Sequence, residues 1–179
     1  MSERPIIFST PMVKAILDGR KTVTRRIAWR RTKTKREYGP AIWMKIHVGD
    51  RLWVREAFAP CEGFALYRAD EPKPTPDRWS PSIHMPRWAS RITLEVTAVR
   101  LEQLQEITEA DCLAEGPYRH DEPSQITGGI MVLPEPEKPW LRSTPRAWYR
   151  ELWDSLHGSG AWAANPEVVV ISFRRIPQP

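Results

Sequence analysis

The chain has 179 residues, 41% of them hydrophobic, with 27 Lys and Arg against 22 Asp and Glu, so it carries a net charge of +5 and a pI near 9.5. That length suits one domain burying about two-thirds of its unfolded surface, and the charge favours polyanionic partners without requiring them. Cys61 and Cys112 are too few for a disulfide framework or a zinc knuckle and fit a reducing, cytoplasmic setting; with no membrane-length apolar run and no signal-peptide stretch, a soluble, unexported protein is expected.

In chain order, Ile6 to Phe8 reads as a short opening strand. A helix follows, with Thr10 placed to cap it, Pro11 at its first position, and Met12, Val13, Ile16 and Leu17 on one face before Gly19 ends it. Directly behind comes the run Gly19-Arg20-Lys21-Thr22-Val23-Thr24-Arg25-Arg26. Clustered cations beside hydroxyls suit a phosphate backbone or a polarised acyl group, although a solvated charged face would read the same way. Residues 20–36 hold nine basic side chains, and the only acid between Arg20 and Gly49 is Glu37, so a basic patch is predicted there.

Residues 27–47 mix Trp29, Tyr38 and Trp43 into this basic sequence without periodicity and read as a long loop. Trp29 and Trp43 are its candidates for stacking on a nucleobase. After a turn at Gly49-Asp50, Leu52 and Val54 alternate with Arg51, Trp53 and Arg55 in a half-buried strand, for which 65–68 is the expected partner. Arg51 and Arg55 fit either the mouth of a barrel or the solubility needs of an edge strand. Pro72, Pro74, Pro76, Pro81 and Pro86 make 71–87 a fixed extended loop.

Ile92 to Val99 is the clearest strand, with Ile92, Leu94, Val96 and Ala98 inward. Thr108 caps a helix with Asp111 placed for a capping box, and Gly116 ends it. A second polar, proline-rich insertion covers 117–140. From Pro145 a helix carrying Trp148, Leu152, Trp153 and Leu156 on one face runs to Gly158, and Val168 to Phe173 is a closing strand. Strands of mixed spacing with helices between them, and no repeat, predict an α+β fold around a small β-barrel. Of the nine tryptophans, Trp53, Trp88, Trp148 and Trp153 are expected in the core. His47, His84, His120 and His157 share no ligand spacing with either cysteine, so neither a metal site nor a cofactor is expected.

Taken together, the Gly19 to Thr24 segment, the strand opening at Gly49, the Ile92 to Val96 strand, the Thr108 to Glu115 helix and the closing strand resemble the ASCH domain family. The likeness covers most of the chain in order, apart from the proline-rich insertions and 27–47, and its core is G-x-K-x-x-x-R at Gly19, Lys21 and Arg25. The segment Pro-Arg-Trp-Ala-Ser-Arg at 86–91 is similar to ASCH proteins of bacteriophages and prophages. The resemblance implies a PUA-like barrel and a link to RNA. Small bacterial members are amidohydrolases that deacetylate N(4)-acetylcytidine with a lysine, a threonine and a glutamate, which fall here on Lys21, Thr24 and Glu115. This chain departs from them in its length, its two insertions, and Arg25 where they carry an apolar residue.

In chemical terms, a threonine hydroxyl needs a base, and a lysine serves if its pKa is lowered. Arg20, Arg25, Arg26 and burial push Lys21 that way, whereas Glu115 opposes them. Lys21 would take the proton from Thr24, Glu115 would orient Lys21, and Arg25 and Arg26 would hold phosphate or polarise the carbonyl. In a plain strand Lys21 and Thr24 face opposite sides, so the scheme demands a turn or bulge between them. The rivals are a non-catalytic RNA-binding module that uses the same cations, and a metal-independent ribonuclease.

Overall fold

A computed structural model describes residues 2–31, 38–117 and 144–177. The insertion expected at 117–140, His120 and part of the basic run, residues 32–37, fall almost entirely outside the described residues. The fold is α+β. Strand β1 (Glu3–Ile7) leads into helix α1 (Thr10–Leu17), and the chain returns as β2 (Val23–Ile27). Ser9 rather than Thr10 occupies the N-cap of α1, with Pro11 in its first turn. The supposed loop after β2 contains a hairpin, β3 (Trp29–Arg31) against β4 (Tyr38–Pro40), followed by a 3-10 turn over Ile42–Lys45. Three-residue strands are too short to show a period of two, which is why they read as loop.

Strand β5 (Arg51–Arg55) pairs in parallel with β1 on one side and antiparallel with β8 (Thr93–Gln103) on the other. Its expected partner near 65–68 instead forms β7 (Phe64–Tyr67), which closes a separate hairpin on β6 (Phe58–Cys61) through the tight turn at Gly63. Local hairpin closure outcompetes the longer-range pairing, as its smaller loop entropy dictates. This hairpin is pinned to the sheet by Arg91, which donates to both oxygens of buried Glu56 at 3.0 and 3.2 Å and to Asp70, and lies 3.9 Å over the Tyr67 ring.

Helix α2 (Glu109–Ala114) and helix α3 (Pro145–His157) precede the last strand, β9 (Glu167–Ile176). The main sheet runs β1-β5-β8-β9-β2. Val168, Val169, Val170 and Ile171 are all buried, so β9 is covered on both faces, and this continuous apolar run replaces the usual alternation. A bulge in β8 between Val96 and Ala98 shifts its phase. Ala98 is therefore exposed rather than inward, and Val99 packs against the core instead. The two edge strands approach through a side chain: Arg26 Nη2 donates to Ile7 O at 3.0 Å. No helix among the described residues is long and apolar enough to cross a membrane.

The end of α2 meets the end of α1 with no room to spare. Gly116 sits at φ +87°, and a Cβ there would lie 2.8 Å from both Ala15 Cβ and Lys21 Cβ. Gly19 shares the left-handed backbone, at φ +74°, but has nothing within 4 Å. Gly19→Ala should therefore cost about 1 kcal/mol, the backbone penalty alone, and Gly116→Ala about 2–4 kcal/mol once overpacking is added. Urea melts of the two variants measure the difference.

Candidate functional site

The turn between α1 and β2 places the first catalytic candidate. Arg20 N and Lys21 N both donate to Ala15 O at 2.9 Å, so the chain folds back on the helix instead of extending. Thr22 N then donates to Ala114 O at the end of α2, and Thr22 O accepts from Phe173 N on β9, each at 2.9 Å. The ladder of β2 begins only at Val23. Lys21 thus precedes the regular strand, and both it and Thr24 are buried along one cavity with Glu115.

Lys21 Nζ donates to Glu115 Oε2 at 2.6 Å, Glu115 O at 3.0 Å and Val23 O at 2.9 Å, so each of its protons has an acceptor. Burial pushes Lys21 below its ordinary 10.5; Glu115 opposes that shift, while Arg26 and Arg25 add to it. The other Glu115 oxygen faces Arg25 Nη1 at 3.4 Å. Arg25 also donates to Glu102 at 2.9 and 2.8 Å and to Asp111 at 2.6 Å, and Arg100 bonds those same two carboxylates from outside. Lys21, Arg25 and Arg100 therefore face Glu115, Glu102 and Asp111, three charges against three. Asp111, expected to complete a capping box, spends its carboxylate on arginines, while its backbone N–H is still capped by Thr108 Oγ1 at 3.1 Å.

The cavity is about 50 Å³. Thr24 lines it and makes no side-chain hydrogen bond to the described residues, which leaves its hydroxyl available to a substrate. Phe8 and Met12 form one wall; Tyr149, Leu152, Trp153, Leu156 and His157 of α3 form the other. Burial and then Glu115 push the Tyr149 phenol well up, while burial and the nearby Arg26 hold His157 below its ordinary 6.5. Both groups are thus neutral at neutral pH. Leu156, read on the same apolar face as Trp148, Leu152 and Trp153, is 63% exposed. Its apolar spacing with Leu152 and Trp153 reads equally as core or as cavity wall. Tyr149, Glu102 and Asp111 carried no separate signal, because aromatic residues on a helix and acids on a strand or helix are ordinary.

Other sequence candidates divide between the cavity and more distant faces. Arg26 lines the cavity, with its guanidinium over Phe8 at 5.3 Å and Trp43 at 5.7 Å, so Trp43 stands behind an arginine and not on the cavity wall. Arg20 donates to Gly116 O and Pro117 O at 3.2 and 2.8 Å and to Asp18, clamping the turn. Arg25 has its donors taken up by carboxylates, which makes it a counter-ion of Glu115. Trp29 is half-exposed, and its indole N–H donates to Glu167. Arg51 and Arg55 stand on β5, away from the cavity; Trp88, in the 3-10 turn Arg87–Ala89, is also off the cavity and is exposed rather than in the core. Cys112 is buried, and its thiol is pushed up to about 11. No group of three His, Cys, Asp or Glu able to hold a metal occurs among the described residues.

Truncating Glu115 would leave Lys21 buried without its anion and Arg25 one carboxylate short. Glu115→Ala should cost about 3–5 kcal/mol of stability, read from urea denaturation. A loss below about 1 kcal/mol, the range of an exposed pair, would mean that the pair is hydrated.

No family model and no curated protein matches the chain. Among solved structures it is similar to the ASCH domain from Lactobacillus crispatus JV V101, with a TM-score of 0.41 and 14% identity, covering 97% of this chain and 79% of that one.

Proposed function

We propose that this chain is a single-domain, PUA-like ASCH protein of the phage or prophage type that takes RNA or a modified nucleoside, and that it hydrolyses the acyl amide of an N-acylated cytidine derivative. The observation that carries the reading is the buried contact of 2.6 Å between Lys21 Nζ and Glu115 Oε2, on a cavity that Thr24 also lines. The side-chain contact of Arg26 with Ile7 between the two edge strands supports a barrel, because it draws together the margins that a barrel must join. Two free cysteines, one of them deeply buried, agree with a reducing cytoplasm.

The reaction follows from the donor count. Lys21 is a base in its neutral form, which burial and the neighbouring Arg26 and Arg25 favour, while Glu115 orients it. The Thr24 hydroxyl gives its proton to neutral Lys21 as Oγ1 bonds to the acyl carbon and the carbonyl π pair moves to oxygen. Return of that pair breaks the C–N bond, and the leaving cytidine amine takes a proton from the Lys21–Glu115 pair. Water then attacks the threonyl ester, releases the carboxylate and restores the hydroxyl. Base assistance of this kind supplies about 10²–10⁴-fold in rate.

A second reading, an RNA-binding module, is favoured by one surface. On β5, Trp53 lies beneath the guanidinium groups of Arg55 and Arg87 at 5.5 and 5.8 Å, and neighbouring Trp88 is 63% exposed. Cations interleaved with aromatic faces suit a single-stranded polyanion.

The deciding experiment follows cytidine release from N(4)-acetylcytidine by chromatography. The native chain should turn over, while Lys21→Ala and Thr24→Ala should lose at least about 100-fold. Because the folded pKa of Lys21 is lowered, kcat/KM should climb as pH rises through a value below 10.5, as neutral lysine accumulates. No turnover, with RNA binding that falls steeply as salt rises, would favour the module instead.

A further inference from the structure

Lys21, Arg25 and Arg26 line the cavity, and two of these cations are neutralised while the third is not. Lys21 and Arg25 belong to the network in which three basic groups face three carboxylates. Arg26 stands outside it. It forms no ion pair among the described residues, and its one hydrogen bond there, from Nη2 to Ile7 O, uses a single N–H. Its Nε and Nη1 have no partner among those residues and, unlike the Trp153 indole nitrogen, are not sealed from solvent. The charged end itself reaches the cavity, because the guanidinium lies 5.3 Å over the ring of Phe8, which forms part of the wall. A guanidinium keeps its charge in proteins, so the cavity holds one uncompensated positive charge with donors to spare.

The rest of the lining limits what can answer that charge. Thr24 and Arg26 are two residues apart on β2 and share a face, and the Thr24 hydroxyl is a second unspent donor. Met12 and Leu152 are apolar. An occupant therefore needs an anionic end for Arg26 and Thr24 and an apolar end for the opposite wall. At about 50 Å³, where one water takes about 10–15 Å³, the cavity has room for about four non-hydrogen atoms, the size of acetate. Phosphate is polar on every side and would set charged oxygens against Met12 and Leu152.

We propose that the cavity is a binding site for a short-chain carboxylate: Arg26 pairs with its oxygens, Thr24 donates to one of them, and the alkyl tail packs on Met12 and Leu152. The amidohydrolase reading is needed for the source of this ligand, since hydrolysis of an acyl amide leaves the acyl carbon as a carboxylate beside Thr24. The amine departs first and the carboxylate last, so the carboxylate meets the free enzyme and competes with the substrate's acyl group.

The test adds sodium acetate to the native chain and follows the arginine ¹⁵Nε–H resonances, with acetamide and inorganic phosphate at matched ionic strength as controls. The Arg26 resonance should shift saturably with acetate and stay in place with both controls. Arg26→Gln should weaken acetate at least about 10-fold, the loss of one charge-assisted hydrogen bond. Where that variant fails to fold, Arg26→Lys keeps the charge without the planar fork and should also bind acetate more weakly than the native chain. In cytidine-release assays acetate should raise KM for N(4)-acetylcytidine and leave kcat unchanged. No saturable shift with acetate, an equal response to phosphate, or binding that leaves KM unmoved overturns the inference; the first of these beside measurable turnover leaves the amidohydrolase reading standing. Acetate binding in a chain that turns nothing over keeps the carboxylate site and removes hydrolysis as its source.

Discussion

Lys21 and Arg25 are cations taken out of water within one short segment, and the surrounding fold is arranged to answer them. An ammonium or guanidinium group in a protein interior costs several kcal/mol unless its partners are well placed. Glu115 answers both at once, giving one oxygen to each. Its position depends on α2 ending beside the turn after α1, where Gly116 has no space for a side chain. Backbone bonds from the turn to Ala15 and Ala114 hold that approach. Glu102 and Asp111 balance the remaining charge, and Arg100 closes the set from the solvent side. The pair on the cavity is thus the visible end of a neutral network extending across β2, β8 and α2.

The same burial that makes this network costly makes it chemically useful. Electrostatic interactions strengthen as water is excluded, and the same exclusion favours the neutral, proton-accepting form of Lys21. Helix α3 supplies the exclusion. Its aromatic residues roof the cavity, while Leu156 and His157 sit at the rim. The site therefore has a charged floor built by β2, β8 and the end of α2, and an aromatic roof delivered by α3.

The outward face of β5 follows a different logic. There arginines stack on tryptophan in solvent, where cation–π contacts are worth only about 0.5–1 kcal/mol each. Such a face adds little to stability, and its arginines are also held by neighbours, Arg87 by Glu3 and Arg55 by the Ile83 carbonyl. A buried cavity and a wet cationic surface are compatible on one small fold, because the cavity sits beside β2 at one edge of the main sheet and the surface lies on β5, three strands away.

Much of the architecture could be read from local chemistry. Although the cap of α1 is Ser9 and not Thr10, the prolines opening α1 and α3, the Thr108 cap of α2, the glycines that end all three helices, and the alternation in β5 and the first half of β8 are signals within a few residues of where they act. So is the grouping of Lys21 and Thr24 beside Gly19, since a helix stop forces a turn. What stayed hidden depended on pairing and packing. The hairpin β3–β4 was too short to show periodicity, β7 chose a local partner, and the bulge in β8 reversed which side Ala98 faces. Trp88, hydrophobic by type, lies outside because no element covers it. The sequence alone determined which groups are available: a lysine, a threonine and a glutamate, with arginines around them. Only the tertiary structure decided that Arg25 is spent on carboxylates and that Tyr149 and Trp153 roof the cavity. Burial and hydrogen-bond saturation are properties of packed neighbours, and those neighbours come from segments far apart in the chain.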